Sequence, residues 1–191
     1  MKSVRITLSV ILLSLSTLAF AQTDAQKPLD KVVQPDAQKS FNQLKALAGT
    51  WLASVTVDPP QPEMGDGTMT QVSLRVTSRG NALVHEMHEV GKPDDPAHYD
   101  HPVTMLYLDS DRLLLTHYCD AGNRPRMTGK MSPDGKKVEF DFLDVAGGTQ
   151  YGHMDHAVFT ILDANHHIED WTYMMPGDKP VHAHLDLKRA Q

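Results

Sequence analysis

The sequence predicts an all-β protein, an antiparallel up-and-down barrel of about ten strands with one short N-terminal helix. Three observations carry that expectation. After Gly49 the apolar residues recur at every second position, as with Val72, Leu74 and Val76 among polar neighbours, which is the period of a strand with one buried face. Short turn signals separate many of the runs: Gly80-Asn81, Asp109-Ser110-Asp111, Pro133-Asp134-Gly135, Gly147-Gly148, Asp163-Ala164-Asn165 and Pro176-Gly177-Asp178. Connections that short join antiparallel neighbours, because a parallel crossover needs roughly a dozen residues or more. No helix-period stretch interrupts the series, which excludes the α/β nucleotide-binding folds.

Taken in chain order, residues 1–21 read as a signal peptide. Lys2 and Arg5 make its basic start, Val10 to Leu18 is largely apolar, and Ala19-Phe20-Ala21 has the small-x-small form of a cleavage site. The apolar run is shorter than the ~20 residues a membrane-spanning helix needs, and no second run follows. No Cys follows the cleavage site, so no lipid anchor is implied. The expected address is outside the cytoplasm, with a bacterial periplasm favoured. Residues 22–35, with Pro28 and Pro35, read as a flexible leader, and 36–191 as the barrel domain. Ser40 and Gln43 form a capping-box pair, and Phe41, Leu44, Leu47 and Ala48 follow helical spacing up to a stop at Gly49. The strands then run from Trp51 to Val57, through Val72–Val76, and on from near Asn81, Val103, Arg112, Arg124, Lys136, His153, His167 and Lys179. Closing the meander removes its two edges and leaves an interior with room for a ligand. A two-sheet sandwich is the alternative with the same patterning.

Composition narrows the function. The 191 residues carry 18 Lys+Arg against 24 Asp+Glu, and that acidic balance argues against nucleic acid as a partner. A single Cys excludes an intramolecular disulfide, a Cys-based zinc ribbon and an iron–sulfur cluster. Cys119 reads as a small buried hydrophobe, with a thiolate ligand or an intermolecular bridge as the sharper alternatives. No G-x-S-x-G elbow, P-loop, dinucleotide fingerprint or H-E-x-x-H helix occurs, so the residues favour binding over catalysis.

The segment from His117 to Arg126 is the leading candidate site. Leu113, Leu115, His117 and Cys119 share a face, so an inward Leu113 and Leu115 bring His117 inward too. A neutral imidazole there must satisfy a donor and an acceptor, and Asn123, Arg126 or a ligand would supply them. The competing reading is a satisfied core histidine, with Arg126 pairing a structural carboxylate such as Glu86, Glu169 or Asp141. Further polar groups sit among aliphatics: Glu86 and His88 with Val84, His156 with Met154 and Val158, and Glu169 with Trp171 and Tyr173. Such a mixture suits a small-molecule pocket, and the candidate ligand-binding residues are His117, Asn123, Arg126, His88, His156 and Trp171. Trp171 also reads as core packing, and the ten Met as adaptable lining or gap filling.

Metal binding is tempting with 11 His. However, His85-x-x-His88, His98-x-x-His101 and His153-x-x-His156 place their members on opposite faces wherever the backbone is extended. His182-x-His184 has same-face spacing but no third ligand near it in sequence, so no metal ligands are assigned. On the last strand Val181, Ala183, Leu185 and Leu187 share one face. His182, His184, Asp186 and Lys188 share the other, which sends both His to solvent if the aliphatic face is the core.

Leu47-Ala48-Gly49-Thr50-Trp51, running through Gly-x-Trp into the first strand, resembles the start of lipocalin-like (calycin) barrels. The resemblance implies that Trp51 closes one barrel end and that a basic residue of the final strand, here Arg189, packs across it. Thr116-His117-Tyr118-Cys119 with Gly122-Asn123-Arg124-Pro125-Arg126-Met127 is similar to a segment of uncharacterised bacterial exported lipocalin-like proteins. More distantly, the strand count resembles nitrobindin-type barrels, which implies haem held by His182 or His184 and NO or peroxynitrite chemistry. The expected function is therefore an exported barrel that holds a small, largely apolar molecule. Haem binding and an envelope-interaction module with a packed lumen are the alternatives, and the sequence sets no oligomeric state.

Overall fold

The structure, a computed structural model, describes residues 36–61 and 64–191. The signal peptide and leader expected over 1–21 and 22–35 lie outside the described residues. Helix α1 (Asp36–Lys45) is followed by strands β1 (Gly49–Asp58), β2 (Met69–Thr77), β3 (Ala82–Glu89), β4 (Val103–Asp109), β5 (Arg112–Tyr118), β6 (Arg124–Met131), β7 (Lys137–Ala146), β8 (His153–Asp163), β9 (His166–Met175) and β10 (Lys179–Arg189). Every strand pairs antiparallel with its neighbour in sequence, and β1 pairs with both β2 and β10. That last pairing closes the barrel, excludes the sandwich and leaves no free edge. No helix among the described residues is long and apolar enough to cross a membrane.

Alternation sets what faces inward. Along β1, Trp51, Ala53, Val55 and Val57 are buried while the residues between them are exposed. β10 presents Val181, Ala183, Leu185 and Leu187 to the interior, as its pattern predicts. Three bulges interrupt the ladders, between Arg126 and Met127, Met154 and His156, and Ile161 and Asp163. An extra residue in one strand reverses the alternation on either side of it. The bulge at Asp155 therefore separates two residues that plain alternation puts together: Met154 packs against the core, and His156 lies opposite Thr172 on the outer face.

The helix differs from its expected bounds. It begins at Asp36, so Ser40 is not its cap; the Ser40 hydroxyl donates to the Asp36 carbonyl one turn back at 2.8 Å. Leu47 falls in the turn that follows, and Ala48 leads into β1. Phe41, Leu44 and Leu47 are buried together, and α1 packs against β2, β4, β5 and β6 across one end of the barrel. Each such side chain contributes roughly 1.5–3 kcal/mol of burial.

Trp51 sits at this closed end. Its indole N–H donates to the Leu47 carbonyl at 2.9 Å, and the Arg189 guanidinium lies 4.1 Å above its ring. Arg189 also donates to the carbonyls of Ala48 at 3.0 Å and Ala164 at 2.9 Å, joining the start of β1 to the β8–β9 turn. Gly49 is required beneath it: its φ is +142°, and a Cβ there would run into Arg189 Nη1. Arg189→Ala is expected to cost about 1–3 kcal/mol in urea unfolding, from the lost cation–π contact and two carbonyl partners. Arg189→Lys should recover only part, since an ammonium has no planar fork.

Candidate functional site

The half of the lumen nearest α1 is filled by Trp51, Leu83, Leu106, Leu113, Phe140 and Leu187, all fully buried. The half away from α1 is built differently. Val57 and Val181 are buried there, Met87, Met154, Met175 and Ala183 face inward but are only partly buried, and Met64 in the β1–β2 connection packs against the core. Between the two halves lies a layer of buried polar side chains.

That layer follows from register. His85 pairs with Thr104, and Thr104 with His117, so three adjacent strands place an inward polar residue at one level. All three are buried, and Thr104 Oγ1 lies 2.8 Å from His117 Nδ1. His117 Nε2 makes no hydrogen bond among the described residues. Burial, and then repulsion from His85, push the His117 pKa from 6.5 down to about 3, so the ring is neutral at physiological pH. A neutral ring whose Nδ1 is engaged by a hydroxyl presents Nε2 either as donor or as acceptor, according to which way the Thr104 proton points.

Across the lumen, β9 contributes His167, Glu169 and Trp171 from consecutive inward positions. The Glu169 carboxylate is hydrogen-bonded to His85 Nε2 at 2.9 Å and to His167 Nε2 at 3.0 Å, and accepts from the Trp171 N–H at 3.1 Å. Burial alone would raise its pKa. Attraction to His85 and the hydrogen bonds from His167 and His85 outweigh that and hold it well below the usual carboxylate range. His85 Nδ1 and His167 Nδ1 are buried without partners. Trp171 packs between this cluster and Phe159, with ring centroids 5.6 Å from His85 and 5.8 Å from His117.

The six candidate binding residues divide evenly. His117 and Trp171 are in the lumen as described, and Asn123 is buried beside it at the end away from α1. The Asn123 amide donates to the carbonyls of Gly148 at 3.0 Å and Gly152 at 2.7 Å, which clamps the β7–β8 loop, while its Oδ1 is buried and unpartnered. The other three lie on the outside. Arg126 forks onto Asp144 through Nε at 2.8 Å, not onto Glu86, Glu169 or Asp141, because the β6–β7 register sets it opposite Asp144 on the exposed face. His156 sits outside between Glu139 and Asp141, 3.5 Å from each, on the far side of the β8 bulge. His88 follows the outward positions of β3, and its Nε2 lies 3.2 Å from the Lys92 carbonyl.

His182 and His184 are likewise outside and exposed, bonded to Thr172 at 3.1 Å and Asp170 at 2.7 Å. These two residues do not fit a haem ligand in the lumen, because the β1–β10 register that buries Leu185 and Leu187 turns both imidazoles away from it. Cys119 is half-buried; burial and the nearby Asp100 and Asp120 raise its thiol pKa, so a thiolate is disfavoured. His85, Thr104 and His167 belong to the buried layer and were not singled out as site residues from the sequence, although period two, counted from Leu83, Leu106 and Glu169, places each of them inward.

No protein-family model matches the chain, and no curated protein matches it in sequence. Among solved structures it is similar to Rv2717c from M. tuberculosis, with a TM-score of 0.56 at 12% identity, covering 80% of this chain and 98% of that one. A second similarity is to a protein of unknown function from the DUF3598 family of Nostoc punctiforme PCC 73102, with a TM-score of 0.47 at 8% identity; it covers 77% of this chain, which spans about half (49%) of that one. At such identities the first likeness shows a shared fold, a ten-stranded antiparallel barrel.

Proposed function

We propose that this chain is an exported, lipocalin-like barrel, its domain spanning residues 36–191, that holds one small, largely apolar molecule in the half of the lumen away from α1. A bacterial periplasm is the proposed address. One observation carries the reading: His85 Nδ1, in the same layer as His117 and one inward position before the partly buried Met87, and Asn123 Oδ1 are buried without a protein partner. An unpaired polar atom in a barrel interior costs free energy unless a ligand or water meets it. The ring and Asn123 Oδ1 offer orientation, and the methionines offer walls that adjust to the occupant. Apolar burial would supply affinity at ~25 cal/mol per Å², before the costs of association.

The test is a titration with the apolar fluorophore 1-anilinonaphthalene-8-sulfonate, followed by competition with medium-chain fatty acids and alcohols. Saturable binding at one site per chain is expected. Ala183→Trp, which projects an indole into the lumen from β10, should abolish it, and His117→Leu should weaken it by roughly tenfold, the worth of about 1.4 kcal/mol. Arg126→Ala and His182→Ala, both on the outer face, should leave it unchanged. Binding that survives Ala183→Trp, or is lost with Arg126→Ala, would overturn the lumenal site.

A further inference from the structure

A second group of residues converges outside the lumen, at the same end of the barrel. His88, near the end of β3, meets Asp94 and His101 from the connection between β3 and β4, and one ligand atom from each lies within 4.8 Å of the others. His101 is nine-tenths buried, its side chain 6% exposed, with Nδ1 3.8 Å from Asp94 Oδ1. The two imidazoles face each other with ring centroids 4.8 Å apart and tilted by 45°. Of the three His-x-x-His motifs, two contribute one member each, His88 and His101, which come together across the β3–β4 connection.

We infer that His88, Asp94 and His101 form a binding site for a divalent transition cation, with zinc as the reference ion. Two imidazoles and a carboxylate are the donor set of three-ligand zinc sites. Ligands at ~2.0–2.2 Å in tetrahedral geometry stand about 3.3–3.6 Å apart, so the Asp94–His101 pair is already near the spacing of a site edge. The remaining closure falls to His88 and the connection, and it exchanges the contact between His88 and the Lys92 carbonyl for a metal bond. His101 also lines a surface cavity of about 440 Å³ with His98, Asp100, Tyr118 and Cys119. Asp94 is 84% exposed, so a fourth coordination position is left open to water.

A second convergence, of Glu139, Asp141 and His156, is the natural control. There Asp141 is already held by Lys130 at 2.8 Å, and a cation would have to displace that ammonium. The experiment is calorimetric titration of zinc ion alone into the untagged, chelator-treated chain at pH 7.5, with cobalt(II) absorption as a second readout of tetrahedral N/O coordination. One zinc per chain is expected. His88→Ala and Asp94→Asn should each weaken it at least as much as the roughly 10–100-fold that follows loss of a residue supporting a metal ligand. Asp94 is exposed, so its variant tests the ligand without disturbing the core. His156→Ala should bind as the parent does. Absence of zinc binding in the parent chain, or binding lost in His156→Ala but kept in His88→Ala and Asp94→Asn, would overturn the site.

Discussion

Replacing Glu169 with alanine is expected to destabilise the barrel by about 3–5 kcal/mol, the cost of removing one partner from a buried charged cluster. The carboxylate is the common acceptor for His85, His167 and Trp171, and all four side chains are buried. Without it two imidazoles and an indole N–H are left in the interior with no acceptor. Glu169→Gln keeps the volume and one carbonyl oxygen but turns an N–H group toward a donor, so it should cost less than alanine and still be clearly destabilising. The acid limb of the stability profile should report the same group. A carboxyl whose folded pKa is depressed contributes stability above its unfolded pKa, about 4.3, and that contribution is lost as pH falls below it. The Gln variant should therefore flatten the profile below about pH 4.5 and leave the region above pH 6 parallel to the parent.

His117 should govern a different window. Its folded pKa of about 3 lies below the ordinary 6.5, so on acidification the unfolded chain takes up a proton that the buried ring refuses. Stability from this group is intact above pH 6.5 and falls from there toward pH 3, with a limiting slope of about 1.4 kcal/mol per pH unit. Between pH 7.5 and 5.0 that amounts to about 2 kcal/mol. His117→Gln, whose amide retains a partner for Thr104, should remove this share of the loss, so urea midpoints of parent and variant should converge or cross as pH is lowered. Equal pH dependence in both would mean that His117 is protonated in the folded state, contrary to its burial beside His85.

The barrel was legible in the sequence because its signals are local. Alternation in β1 and β10 and the short turns set strand number, pairing order and inward faces, and Gly-x-Trp with a terminal Arg anticipated how Trp51 and Arg189 meet. His117 was placed inward by the same alternation. Arg126 and His156 show where such reasoning stops: the first needed the register against β7 to reveal Asp144, the second a bulge that plain alternation does not contain. The buried layer depends on which inward residues share a level, and that is set by stagger between strands, not by spacing within one. The start of helix α1 was misplaced because Ser40 and Gln43 mimic a cap that the chain does not use.

The most direct measurement of the central claim is native mass spectrometry of the barrel purified, without detergent, from the cells that make it. The lumenal account predicts a chain carrying one small-molecule mass, absent from the Ala183→Trp variant prepared the same way. A bare chain in both preparations, together with no saturable uptake of the fluorophore, would contradict it and leave a lumen that is a packed core at both ends.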